Sequence, residues 1–399
     1  MHICYVTLSP AFGMHQCTAD LANLLVTPDD EDKTESPVRV TVLTIFGAPL
    51  DRYAPQVEAR PIVAMRGTGL QRTSFDVRSL WRVYRTIIDL KPDVVHLNAP
   101  HIWNPVLLWL LRRAGIRTIQ TIHDLDPHSG TGYGKLLYVW NDLVLRLAGH
   151  ILVHGQVYRT RLIARGLAPQ RVTCVPLLHL FLSYDQEQRL AVSERGSAVR
   201  EKVDLASGRR FALFFARIES YKGVDILIDA MRRVEANSLH SSAGVPDAAC
   251  PGAVIAGKGD IRPAVKGMLP GCVELRNRLI EDDEAIDLFR RCSLVVLPYV
   301  DATQSALIAA AYFFGKPVIV TRAGALPEYV IDGETGWVID PRDPQALAEC
   351  LLAAFSDPAR LAEMGQAGRA WYEVQRRIEH STLLTMYRQA AAASGSPRR

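Results

Sequence analysis

The chain has 399 residues, 48% of them hydrophobic and 22% charged, enough apolar material for two or three globular domains with full cores. Its formal charge of +4 is too small to point to nucleic acid, and no apolar run reaches the ~18 residues of a membrane-spanning helix. Seven cysteines are scattered with no Cys-x-x-Cys pair and no nearby histidine, so they read as small core residues in a reducing cytoplasm, and no metal site is expected.

The chain opens on a strand-like segment, His2–Leu8, without the charged and apolar regions of a signal peptide. Further strand-like runs follow at Val38–Phe46, Asp93–Asn98, Arg117–His123, His150–His154 and Arg171–Leu177. A second set comprises Arg210–Ala216, Ala253–Ala256, Cys272–Arg276, Leu294–Pro298, Pro317–Thr321 and Gly336–Ile339. Helical stretches separate them, which predicts an α/β protein with two Rossmann-like domains built on parallel sheets. The polar stretch Ser183–Arg209 divides the two sets. The expected division is 1–185 as the first domain, 186–209 as a linker and 210–375 as the second domain. A helix over 376–393 is expected to pack back on the first domain, and 394–399 to be a disordered tail. Thr27–Pro37 and Ala236–Pro251 read as variable loops, and Asp343-Pro344 as the cap and first position of a late helix.

The run from Phe214 to Asp225 is the most informative. A Phe-rich buried strand ends just before Arg217 and Lys222, and an amphipathic helix over Gly223–Val234 follows, with Leu227, Ala230, Met231 and Val234 on one face. Two cations therefore sit at the carboxyl end of a strand, where α/β sheets bind ligands. Gly223 permits close backbone approach, and a helix N-terminus favours an anion, so the guest these residues suit is a phosphate or diphosphate. The alternative for the pair alone is two solvated surface cations.

Around this run the sequence resembles the retaining GT-B glycosyltransferases, specifically glycosyltransferase family 4. Arg217-x4-Lys222-Gly223 corresponds to the family's diphosphate-binding pair, and Ala256-Gly257-Lys258-Gly259-Asp260 to a Gly-rich turn after a strand. Leu297-Pro298-Tyr299, Phe314-Gly315-Lys316-Pro317-Val318-Ile319 and Ala323-Gly324-Ala325-Leu326-Pro327-Glu328 follow in the family's order. In the first half, Asp93-Val94-Val95-His96 and Thr121-Ile122-His123-Asp124 correspond to strand ends facing an interdomain cleft. The resemblance implies a nucleotide-sugar donor held by fixed cations rather than a metal, with Arg217, Lys222 and His123 at the reacting groups. It places Gly13, Gly257, Gly259, Asn277, Ile280, Asp301, Thr303, Gln304 and Ser305 around the donor. Asp301–Ser305 is the implied sugar loop, entering a helix over Ala306–Phe314 that Thr303 and Ser305 can cap. His96 is a weaker companion of His123, and His15 of Gly13.

Two glutamates that relatives carry around this loop are Ala302 and Ala310 here, so the chain resembles a divergent Thr-Gln-Ser branch whose sugar and ribose contacts differ. Asp301 can substitute for the first; nothing replaces the second. Asp124-Leu125-Asp126 spells the metal motif of another transferase fold but follows a GT-B strand, and Glu281–Glu284 reads as the charged start of a helix. Arg78, Trp81, Arg82, Tyr84 and Arg85 recur at helical spacing, as do Trp109, Arg112 and Arg113. Such residues either seat a helix peripherally in an anionic lipid interface or form ordinary helices with aromatics in the core; the second is the expectation.

The activity implied is transfer of a sugar from a nucleotide-diphosphate sugar to an acceptor hydroxyl, with retention and without a cofactor, in polysaccharide, glycolipid or other glycoconjugate synthesis. The acceptor classes include lipid-linked ones. Two rivals are a non-catalytic GT-B partner protein, favoured by Ala302 and Ala310, and a nucleotide-sugar epimerase, for which no set of proton-transfer carboxylates can be assembled.

Overall fold

A computed structural model describes residues 1–27, 38–65, 75–126, 134–196, 210–241, 251–265 and 267–392. The chain forms two compact units, residues 1–191 with 376–399, and 192–375. The loop expected at Thr27–Pro37 lies outside the described residues beyond Thr27; of the loop expected at Ala236–Pro251, residues 236–241 are instead the end of a helix and 242–250 lie outside the described residues, as does the tail 394–399.

The first unit holds seven parallel strands: β1 (His2–Thr7), β2 (Arg39–Ile45), β3 (Glu58–Val63), β4 (Val94–Leu97), β5 (Arg117–Thr121), β6 (His150–Val153) and β7 (Val172–Cys174). Their order is β3-β2-β1-β4-β5-β6-β7. The second holds β8 (Phe211–Phe215), β9 (Gly252–Ala256), β10 (Val273–Arg276), β11 (Leu294–Leu297), β12 (Val318–Thr321) and β13 (Gly336–Ile339), in the order β10-β9-β8-β11-β12-β13. Both sheets bear out the α/β, doubly wound expectation. Helices cover them because parallel strands are apolar on both faces: Ile3, Tyr5, Val95, Leu213 and Val295 are fully buried.

The helices of the first unit are α1 (Phe12–Val26), α2 (Val77–Leu90), α3 (Asn104–Arg113), α4 (Gly134–Leu147) and α5 (Gln156–Ala164), and α6 (Tyr184–Gly196) runs through the boundary after Ala191. Those of the second are α7 (Val224–Ser241), α8 (Asp282–Arg291), α9 (Leu307–Phe313) and α10 (Pro344–Ser356); α11 (Pro358–Ala392) runs through the boundary at Arg376. On α7, Leu227, Ala230, Met231 and Val234 are all fully buried, as their spacing predicts. Asp343 caps α10 by accepting from the Gln345 and Ala346 amides at 3.0 and 2.9 Å, with Pro344 at the first position.

Three expectations need correction. The polar stretch after Ser183 is not all linker, because α6 occupies its first part. Its acidic start, Asp185 and Glu187, suits a helix N-terminus. The edge strand β3 escaped notice because Glu-Ala-Arg-Pro-Ile-Val has no alternation and contains Pro61. An edge tolerates that proline, and the pairing with β2 shifts register there. Finally, Trp81 and Trp109 are not core residues: they are 47% and 44% exposed.

Candidate functional site

In the second unit the strand order reverses between β8 and β11, and an open sheet offers its crevice at the carboxyl ends of such a pair. The loops carrying Arg217–Gly223 and Pro298–Asp301 leave those two ends and interlock. The Val300 amide donates to the Tyr221 carbonyl at 2.8 Å. Gly223 has φ +68°, and a Cβ there would sit 1.9 Å from the Pro298 carbonyl oxygen, so only glycine fits. Lys222 is thereby fixed at the start of α7. Its Nζ lies 3.9 Å from the Tyr299 ring centroid and 5.0 Å from that of Tyr221, so two aromatic faces hold the ammonium. Tyr299 is 1% exposed and cannot swing away cheaply. Arg217 is different: its side chain is 77% exposed and pairs with Glu219 at 3.1 Å. Such an exposed pair is worth about 0–1 kcal/mol, so an incoming anion can take the guanidinium over.

The remaining predicted residues of this unit lie at the same edge of the sheet or nearby. Gly257 and Gly259 follow β9, where Cβ atoms would meet the Ala216 and Ile218 carbonyl oxygens at 1.9 and 2.1 Å. Asn277, just past β10, clasps Gly259 with two 3.0 Å hydrogen bonds, accepting from its amide and donating to its carbonyl. Ile280 is half-buried beyond it. Asp301 approaches the loop of Lys222 through its amide, 3.4 Å from the Tyr221 carbonyl. Thr303 and Ser305 are each 7% exposed, and Gln304 between them is half-buried. The Thr303 carbonyl accepts from the Ala325 amide at 3.0 Å. Ser305 Oγ accepts weakly from the Leu307 amide at 3.4 Å; the helix itself is Leu307–Phe313, one residue shorter at each end than expected. Ala302 and Ala310 are 5% and 1% exposed. The cluster Glu281–Glu284 does begin α8, with Glu284 2.9 Å from Arg276 and 2.6 Å from Arg278.

In the first unit the reversal falls between β1 and β4. Buried polar residues gather at the carboxyl ends of these strands and their neighbours: Thr7, Asn98, Thr121, His123 and His154. His123 is 6% exposed, and its Nε2 donates to the Asn98 carbonyl at 2.7 Å, which makes Nδ1 the acceptor nitrogen. Burial holds it below the ordinary histidine value, so the imidazole is neutral at physiological pH. His96 is spent structurally, between Tyr387 Oη at 2.6 Å and Thr121 Oγ1 at 2.8 Å, and burial pushes it down to about 3. Gly13 lies in the first turn of α1 with open space around its Cα, so no close approach requires glycine there. His15 is buried, with Nδ1 3.4 Å from Thr44 Oγ1. Asp126 of the Asp-x-Asp triplet is engaged by Arg161 in two hydrogen bonds of 2.6 and 3.0 Å.

One sequence expectation fails here. Cys17 has histidines near it after all. Its Sγ and one nitrogen each of His123 and His154 lie within 4.8 Å of one another, all buried. The chain separation of these three residues hid the cluster. A thiol that burial pushes up to about 12 is a poor ligand without a cation already in place.

The comparisons with known proteins follow this division. Residues 12–177 match the family described as glycosyl transferase 4-like domain, and residues 209–357 match glycosyl transferases group 1. The chain is a glycosyltransferase. Among its relatives, D-inositol 3-phosphate glycosyltransferase 1 of Catenulispora acidiphila is 26% identical over 75% of this chain and 72% of its own. The corresponding protein of Streptomyces avermitilis is 29% identical over 45% of this chain, a match spanning only 39% of that protein. The fold is shared with sucrose-phosphate synthase from Thermosynechococcus elongatus (TM-score 0.69, 17% identity, 98% of this chain and 100% of that one). It is shared also with HepE of Anabaena in complex with UDP-glucose (TM-score 0.64, 18% identity, 98% and 99%). These are GT-B proteins, and the glycosyltransferase described here has that fold.

Sequence reasoning about the glycosyltransferase missed Tyr221, Tyr299, Glu219 and Asn98. Tyr221 and Tyr299 lie inside the recognised motifs but were given no role there, and an aromatic on each of two adjacent strand-end loops was the available signal. Asn98 acts through its backbone carbonyl, which leaves no trace in sequence.

Proposed function

We propose that the protein transfers a sugar from a nucleotide-diphosphate sugar to an acceptor hydroxyl, with retention of anomeric configuration and with fixed cations in the place of a metal at the diphosphate. The carrying observation is the Arg217–Gly223 loop: a lysine held between two tyrosine faces and a reachable arginine, at the switch point of a parallel sheet. As the sugar–diphosphate bond breaks, charge grows on the leaving phosphates. Lys222 and Arg217 neutralise it, and donors aimed at developing charge need no reorganisation during the reaction. The acceptor attacks the face the leaving group vacates, and the departing diphosphate takes its proton. A neutral His123 supplies hydrogen bonding to the sugar rather than charge. Relatives that act on inositol phosphate, and a fold neighbour solved with UDP-glucose, support a nucleotide-sugar donor. The buried Ala302 and Ala310 supply no carboxylate to sugar or ribose, so donor selection rests on Asp301, Thr303, Gln304 and backbone groups. Products of this kind of reaction are polysaccharides, glycolipids and other glycoconjugates.

The test is slow hydrolysis of candidate nucleotide sugars with and without chelator. The expected result is turnover that chelator leaves unchanged. Turnover abolished by chelator and restored by a divalent cation would overturn the metal-free reading and turn attention to Cys17, His123 and His154.

A further inference from the structure

Three neighbouring helices of the first unit, α2, α3 and α4, pack side by side on one face of the sheet. Their solvent sides are unusual. Val77, Trp81, Val106, Trp109, Val139 and Leu143 are 72%, 47%, 45%, 44%, 58% and 42% exposed. Interleaved with them, Arg78, Arg82, Arg85, Arg112 and Arg113 are exposed. Among the described residues no carboxylate pairs with any of these five. Of the acids on the same helices, Asp76 caps α2 through the Arg78 amide at 3.0 Å, Asp142 pairs with Arg146 at 2.8 Å, and Asp89 sits one turn beyond Arg85 without pairing with it. Two of the arginines lie over the exposed indoles, Arg85 5.4 Å from the Trp81 centroid and Arg113 4.4 Å from that of Trp109.

We propose that this three-helix face docks on an anionic phospholipid surface. Indole and guanidinium together suit the depth of lipid headgroups, where the ring meets acyl chain and the cation meets phosphate. Valine and leucine at this exposure gain from entering the same boundary. An excess of unpaired cations selects lipid of negative charge, with each arginine strengthening attachment roughly fivefold. Among the described residues no helix is long and apolar enough to cross a membrane, so the contact is peripheral. The proposal stands apart from the donor reading, since no residue of the face belongs to the candidate site.

The test is sedimentation of the full chain with phosphatidylcholine vesicles, with and without phosphatidylglycerol, in the absence of any donor. The expected result is pelleting only with the anionic vesicles and release by salt. Arg82→Glu with Arg85→Glu should weaken attachment on the order of 100-fold or more. Trp81→Ala with Trp109→Ala should weaken it about tenfold at unchanged circular-dichroism melting. No pelleting with anionic vesicles, or pelleting that both variants retain, overturns the proposal. So does a concentration-dependent dimer that the Trp variant dissolves, which would show that a second copy covers the face. Donor hydrolysis is read separately, so failure of either reading leaves the other standing.

Discussion

Lys222 and Arg217 carry the same charge in different surroundings, and that difference predicts different consequences of change. Lys222 is preorganised by Tyr299 and Tyr221, whereas Arg217 is exposed and must exchange Glu219 for a ligand. Alanine at either position should lower transfer about 100- to 1,000-fold, read as donor turnover, with the melting curve unchanged. Full turnover in both variants would remove the assignment. Tyr299 should act through Lys222. Tyr299→Phe keeps the ring and should stay near wild-type donor affinity. Tyr299→Leu loses the cation–π contact and should weaken donor affinity by about tenfold, measured by titration. Equal affinity in the two variants would make the tyrosine a packing residue only. The cations were legible in the sequence because charge after a buried strand is conspicuous. Their aromatic support was not, since a tyrosine at a strand end reads equally as core.

At the scale of elements, α11 presents a buried charge imbalance to the first unit. Arg376 Nη1 lies 2.7 Å from Asp20 and 2.7 Å from Glu379, one guanidinium between two buried carboxylates. Burial pushes the Glu379 carboxyl up to about 8, the neighbouring Asp20 adding to the effect and Arg376 opposing it. Unfolded, the same carboxyl titrates at its ordinary 4.5. Between those values the folded state holds a proton that the unfolded state has released, so stability falls as pH rises through the window and is steady below it. Burial beside the same Asp20 also pushes the Glu187 carboxyl up to about 7, so thermal melting across this range should show the fall, and Glu379→Gln should make it shallower. An identical pH slope in the variant would contradict the assignment. None of this was legible, because Asp20 and Arg376 are 356 positions apart in the chain. By contrast, twelve strands announced themselves through apolar runs. The edge strand β3 did not, because an edge needs only one apolar neighbour and tolerates proline.

At the scale of the molecule, alternation of strand and helix sufficed to predict two parallel sheets. It did not give the strand order, which depends on where each crossover returns. That order matters for function: the reversals at β1/β4 and β8/β11 locate both groups of candidate residues. Ordered motifs along the chain anticipated the family that residues 12–177 and 209–357 match. Under the proposed function, the second unit grips a nucleotide diphosphate through fixed cations. Calorimetric titration with UDP, GDP, ADP and dTDP and their sugar conjugates tests it most directly. Selective binding of one nucleotide is expected, indifferent to chelator and lost in Lys222→Ala. Absence of binding by a folded, monodisperse sample, or binding that Lys222→Ala retains in full, would contradict it.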